Sequence, residues 1–80
     1  MSENLVKYKK AFLESLEISD EKILDKLKYN DIEQWDSIGH MGLISALEDV
    51  FEISIETNDV IDFSSFNKGK EILKKYKIVI

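Results

Sequence analysis

The chain has 80 residues, enough for one small domain over residues 1–80 and no second. Hydrophobic residues make up 44% and charged residues 34%, with three glycines, no proline and no cysteine, which excludes collagen, low-complexity disorder, a disulfide framework and a thiolate metal site. The net charge of −5 argues against nucleic acid, and the longest apolar runs are three residues, so neither a membrane span nor a signal-peptide core can be drawn and a cytoplasmic location is expected.

Leu5, Tyr8, Phe12, Leu13 and Leu16 recur at helical spacing and predict an amphipathic helix over residues 3–16. A long connection follows. It holds a short helical piece, with Ser19 as candidate N-cap and Ile23, Leu24 and Leu27 as its apolar side. Tyr29-Asn30-Asp31 reads as a turn, and Ile32 and Trp35 are expected to pack the connection onto the core.

A second helix starts at Asp36-Ser37, where the Asp36 carboxylate can accept the free N–H groups of the first turn. Ile38, Met41, Ile44, Leu47 and Phe51 follow at spacings of three and four, and Leu43 and Val50 widen the stripe. Gly39 and Gly42 each cost such a helix about 1 kcal/mol relative to alanine. Either another molecule approaches closely there, or a frayed first turn tolerates them. Glu52-Ile53-Ser54-Ile55 alternates, but a lone four-residue strand has nothing to pair with, so it reads as an extended loop. Thr57 is the candidate cap of a short third helix carrying Val60 and Ile61. Ser64 or Ser65 caps the last helix, with Phe66, Gly69, Ile72, Leu73 and Tyr76 inward and Lys74, Lys75 and Lys77 at its C-terminal dipole end. The fold class is all-α: a four-helix bundle with a short third helix and a long first loop.

Charge is unevenly spread. Residues 37–62 hold six acids and no lysine or arginine, whereas residues 63–80 hold five lysines and Glu71. The acidic middle either steers a basic partner surface or is a solvated face that keeps the chain soluble.

A core of this size supplies only about 3–5 kcal/mol, so an enclosed active site would displace part of what holds the domain together. That favours a binding or carrier module over an enzyme. There is no Gly-rich phosphate loop, H-E-x-x-H or G-x-S-x-G. The single histidine, His40, has no companions at zinc-ligand spacing, and the carboxylates from Asp20 to Asp36 do not match a calcium loop. Asp36, Ser37 and His40 offer an acid, a serine and a base, but a hydrolase is rejected for want of an oxyanion pocket and a substrate cleft. What remains is a serine at the exposed start of a helix, directly after an acid. It is either a cap or a hydroxyl displayed for modification, and a helix N-terminus suits a phosphate.

The segment from Trp35 to Phe51, W-D-S-I-G-H-M-G-L-I-S-A-L-E-D-V-F, resembles the modification site and second helix of acyl carrier proteins. The family pattern is D-S-L, an apolar residue three further on, and a hydrophobic helix ending acid-acid-x-F-x-I. This chain reads D-S-I, Met41, and E-D-V-F-E-I. The order of helices and the long first loop also fit, so the likeness covers nearly the whole chain.

The resemblance implies a non-catalytic carrier. Ser37 would bear 4'-phosphopantetheine, moved from coenzyme A by a phosphopantetheinyl transferase with magnesium, and the arm's thiol would hold an acyl group as a thioester. Asp36, Ile38, Met41, Glu48, Glu52 and Glu56 become candidates for the docking face, with core packing as the other reading of Met41. The implied partners are the transferase, a loading ligase or acyltransferase, and downstream biosynthetic enzymes with basic surfaces. Fatty-acid carriers usually have acids where this chain has Gly39, Gly42 and Val50, and leucine where it has Ile38. A specialised biosynthetic pathway therefore stands beside fatty-acid or polyketide-type synthesis. Aminoacyl and peptidyl carriers share the fold and the serine, so the cargo is open. The alternative of another class is an acidic helical adaptor without a prosthetic group.

Overall fold

A computed structural model describes residues 3–80. The chain is all-α, with α1 (Glu3–Ser15), α2 (Ser37–Phe51), α3 (Thr57–Asp62) and α4 (Phe66–Lys74), and a 3-10 helix over Glu21–Lys26 in the first connection. No strand forms among the described residues; the segment after Phe51 is a loop, with Ile55 buried.

Helix α1 buries Tyr8, Ala11 and Phe12, with Leu16 just beyond its end. Phe12 lies at the centre, its ring against Tyr8 at 5.1 Å, Trp35 at 5.4 Å, Phe63 at 6.1 Å and Phe66 at 5.0 Å between centroids. Rings at such spacings add to the burial of each side chain, itself worth about 1.5–3 kcal/mol. Trp35 is fully buried, so the far end of the long connection belongs to the core, as its aromatic character predicts. Tyr8 donates to the Phe66 carbonyl at 2.6 Å, and burial pushes its phenol far above the usual range.

Three helix ends use one device. Glu17, Glu52 and Lys77 adopt left-handed backbone, and the next amide returns to a carbonyl five residues back: Ile18 to Leu13, Ile53 to Glu48 and Ile78 to Leu73. None of these positions is glycine, so the hydrogen bonds offset the cost of positive φ.

The connection is clamped where it passes the α3–α4 junction. The Tyr29 amide donates to Ser64 O at 2.8 Å and the Phe66 amide to Leu27 O at 3.1 Å. The predicted turn forms, with Asn30 left-handed and Asp31 Oδ2 accepting the Lys28 amide at 2.8 Å.

Several expectations are corrected. The 3-10 helix is capped by Asp20, whose Oδ1 accepts the Lys22 amide, not by Ser19; of its apolar side, Leu24 and Leu27 are buried while Ile23 stays exposed. Thr57 is the first residue of α3, not its cap. That position belongs to Glu56, which makes no side-chain cap, and α3 is held instead by an ion pair described below. Of the two expected candidates for the α4 cap, Ser64 and Ser65, it is Ser65 that caps the helix, as expected. Gly39 is explained within the chain: a Cβ there would overlap the Gln34 carbonyl oxygen. Gly42 faces open space.

Candidate functional site

Ser37 is the first residue of α2 and exposed. The residue before it does the capping: Asp36 Oδ1 accepts the Gly39 amide at 2.8 Å. This frees the Ser37 hydroxyl from the cap role. Its partner is the Tyr29 hydroxyl, at 3.1 Å.

His40, one turn on, is locked. The indole N–H of Trp35 is donor only, so His40 Nδ1 must accept from it, at 2.9 Å. Nε2 therefore carries the proton and donates to the Val60 carbonyl at 2.8 Å. Both ring nitrogens are committed, and neither is left to take a proton from Ser37. The constellation of Asp36, Ser37 and His40 is thus adjacent without the geometry of a triad.

Between the connection, α2 and α3 lies a cleft of about 340 Å³. Met41, Val60, Ile61 and Phe63 supply its apolar lining, and Tyr29, Ser37, His40 and Ser64 its polar one. A larger groove of about 560 Å³ lies between α1 and the 3-10 helix, lined by Lys9, Lys10 and Lys22 among others, with no hydroxyl or histidine on its walls.

The α3 wall of the Ser37 cleft is fixed from behind. Asp59 is only 5% exposed and takes Lys75 Nζ on Oδ1 at 2.5 Å and the Tyr76 hydroxyl on Oδ2 at 2.6 Å. The Tyr76 oxygen accepts the Glu56 amide at 2.9 Å. The Lys75 hydrogen bond, then that from Tyr76, holds the Asp59 carboxyl below its ordinary range, although burial pushes the other way. The same bond raises Lys75, and Tyr76 is raised by desolvation and then by Asp59.

The proposed docking residues separate into groups. Ile38 is 83% exposed and Met41 57%, so core packing does not account for Met41. With Ile61, 72% exposed on α3, they place apolar surface beside Ser37. Glu48 is half-buried, and its Oε2 accepts the Ile55 amide at 2.8 Å, which commits it within the chain. Glu52 and Glu56 are exposed; Glu52 caps the far end of α2, about 22 Å from Ser37 along a helix of this length, and Glu56 stands at the start of α3. Sequence reasoning missed Asp49. It shares the exposed face of Ile38, Gly42 and Ser45, and the helical period from Ile38 would have found it. Tyr29 and Ile61 were also missed as site residues. Tyr29 was read as a turn, and nothing local shows that the turn returns to Ser37.

Among the described residues, no helix is long and apolar enough to cross a membrane. No protein-family model, curated protein or solved structure matches the chain.

Proposed function

We propose that the chain is an acyl carrier whose Ser37 hydroxyl accepts 4'-phosphopantetheine from coenzyme A. One observation carries this reading: Ser37 Oγ is exposed at the first residue of α2, excused from capping by Asp36, at the mouth of an apolar cleft. The D-S-I and E-D-V-F-E-I segments support it, as does the succession of α1, a long connection, α2, a short α3 and α4, here taken as a bundle of acyl-carrier type.

In the transfer, Ser37 Oγ bonds to the phosphorus that bears pantetheine. The pyrophosphate bond to the adenylate half breaks, 3',5'-adenosine diphosphate leaves, and the serine proton passes to the transferase, which supplies the magnesium. The group contributes a thiol that holds an acyl chain as a thioester. The residues present fit it: an exposed hydroxyl that takes no part in the cap, amide N–H groups of the first turn beside it, and an adjacent cleft. Met41, Val60, Ile61 and Phe63 favour an apolar acyl cargo over an aminoacyl one, whose thioester keeps a charged ammonium group. Partner enzymes with basic surfaces meet the stretch 37–62, which lacks lysine and arginine. The setting is a biosynthetic pathway in the cytoplasm.

The test is intact mass spectrometry after incubation with coenzyme A, magnesium and a promiscuous transferase, with Ser37→Ala alongside. The expected result is a gain of one phosphopantetheinyl group in the native chain and none in Ser37→Ala, with helical circular dichroism unchanged. No gain with several transferases, on folded and initially unmodified protein, sinks the reading and leaves the acidic adaptor.

A further inference from the structure

We propose that Tyr29 is the positioning residue of the arm: its hydroxyl, bonded to Ser37 Oγ in the unmodified chain, donates to the phosphodiester once Ser37 is loaded. This rests on the carrier reading of Ser37.

Tyr29 is held through its backbone and by two neighbouring rings. Its own amide is bonded to Ser64 O at 2.8 Å, and the next amide, that of Asn30, to Trp35 O at 3.0 Å. Its ring stands edge-on to Trp35 at 6.2 Å and to His40 at 5.5 Å. His40 is itself fixed by Trp35 and Val60. A side chain set this firmly is pre-organised for whatever occupies Ser37 Oγ.

Its present bond is weak. At 3.1 Å it is long for a pair of neutral hydroxyls, which prefer about 2.7–2.8 Å. A phosphodiester on Oγ places two unesterified oxygens two bonds further out, sharing a full negative charge. A hydrogen bond to such an oxygen is shorter and about twice as strong. The first-turn amides and the Ser64 hydroxyl are the other nearby donors; the Asp36 carboxylate is acceptor only and is turned to Gly39, and residues 37–62 bring no lysine or arginine. Tyr29 thereby fixes the root of the arm at the mouth of the cleft it shares with Ser37.

The experiment loads the native chain and Tyr29→Phe with phosphopantetheine, confirms both by intact mass, and records 31P spectra against a short phosphopantetheinyl-serine peptide. Phenylalanine keeps the ring contacts, so melting temperatures of the unmodified chains should agree closely. The expected result is a native 31P resonance displaced from the peptide's, returning toward it in Tyr29→Phe by more than a linewidth. Coincident resonances in the two loaded proteins overturn the proposal. A folded Tyr29→Phe that refuses loading overturns it too, because the phenol then serves the transfer reaction and not the finished arm. If the native chain itself takes no group, the carrier reading falls and this inference with it.

Discussion

Trp35 and His40 form a hydrogen bond in which the indole N–H meets Nδ1 at 2.9 Å, with the rings nearly parallel at 21° and 6.1 Å apart. Through His40 Nε2 the same pair reaches Val60 O, so one imidazole joins the end of the connection, the start of α2 and the middle of α3. These three segments enclose the Ser37 cleft.

His40→Ala removes both bonds and orphans the N–H of a fully buried tryptophan. An unsatisfied buried donor costs about 1–3 kcal/mol. For a domain of this size each kcal/mol lowers Tm by about 4–8 °C. The expected result is a clear fall in Tm, together with faster amide exchange in α3. An unchanged Tm would show that the relay carries no stability.

Gly39 and Gly42 should respond in opposite directions to alanine. By helix propensity alone each substitution gains about 1 kcal/mol. At Gly42 nothing stands in the way, so Gly42→Ala should raise Tm by about 4–8 °C. At Gly39 the new methyl meets a backbone carbonyl, Gln34 O, which cannot rotate aside. Overpacking of this kind costs about 1–3 kcal/mol and outweighs the gain. Thermal melts of the two variants decide it. A stabilised Gly39→Ala would mean that the connection yields freely.

These two glycines also mark how far the sequence was legible. Propensity and spacing showed α2 and its Asp36 cap, because both depend on neighbours within one turn. They also placed Trp35 in the core, since a large aromatic side chain leaves much apolar surface in water unless it is buried. They could not separate Gly39 from Gly42, because the carbonyl that distinguishes them arrives with the folded connection. Tyr29 was hidden for the same reason: its route back to Ser37 is set by the Ser64 and Phe66 bonds, which are tertiary. The intrachain bond of Glu48 was hidden likewise, because its donor is a loop amide, that of Ile55, seven residues on.

Asp59 predicts a specific acid sensitivity. Lys75 and Tyr76 hold its carboxyl below the ordinary range, so the folded state favours the charged form. A depressed carboxyl contributes stability that is present above its unfolded value, about 3.9, and is lost as pH falls through its folded value. Asp59→Asn should lower Tm by several degrees at pH 7. The gap to the native chain should begin to close below about pH 5 and continue to shrink through pH 4. Melts across that range test this, and a gap independent of pH would remove the ion pair as the cause. The raised values of Lys75 and Tyr76 act at the other extreme, where stability is lost as pH climbs past their unfolded values, about 10.

The surface beside Ser37 gives the last prediction. Ile38, Met41 and Ile61 leave apolar side chains in water at the mouth of the cleft, while Asp49 and Glu52 continue the exposed face of α2 with negative charge. An interface built this way draws affinity from the apolar residues and on-rate from the acids. Replacing exposed side chains leaves stability within about 0.5 kcal/mol, so losses of function will not reflect unfolding. On the carrier reading, Ile38→Asp should therefore raise the KM of a phosphopantetheinyl transferase about tenfold, as expected when a contact worth about 1.4 kcal/mol is lost, at nearly constant Tm. Asp49→Lys should instead slow association most at low salt, with the deficit fading as ionic strength rises. Steady-state kinetics at two salt concentrations separate the two effects. If Ile38→Asp loads as readily as the native chain, the transferase grips another face of the domain.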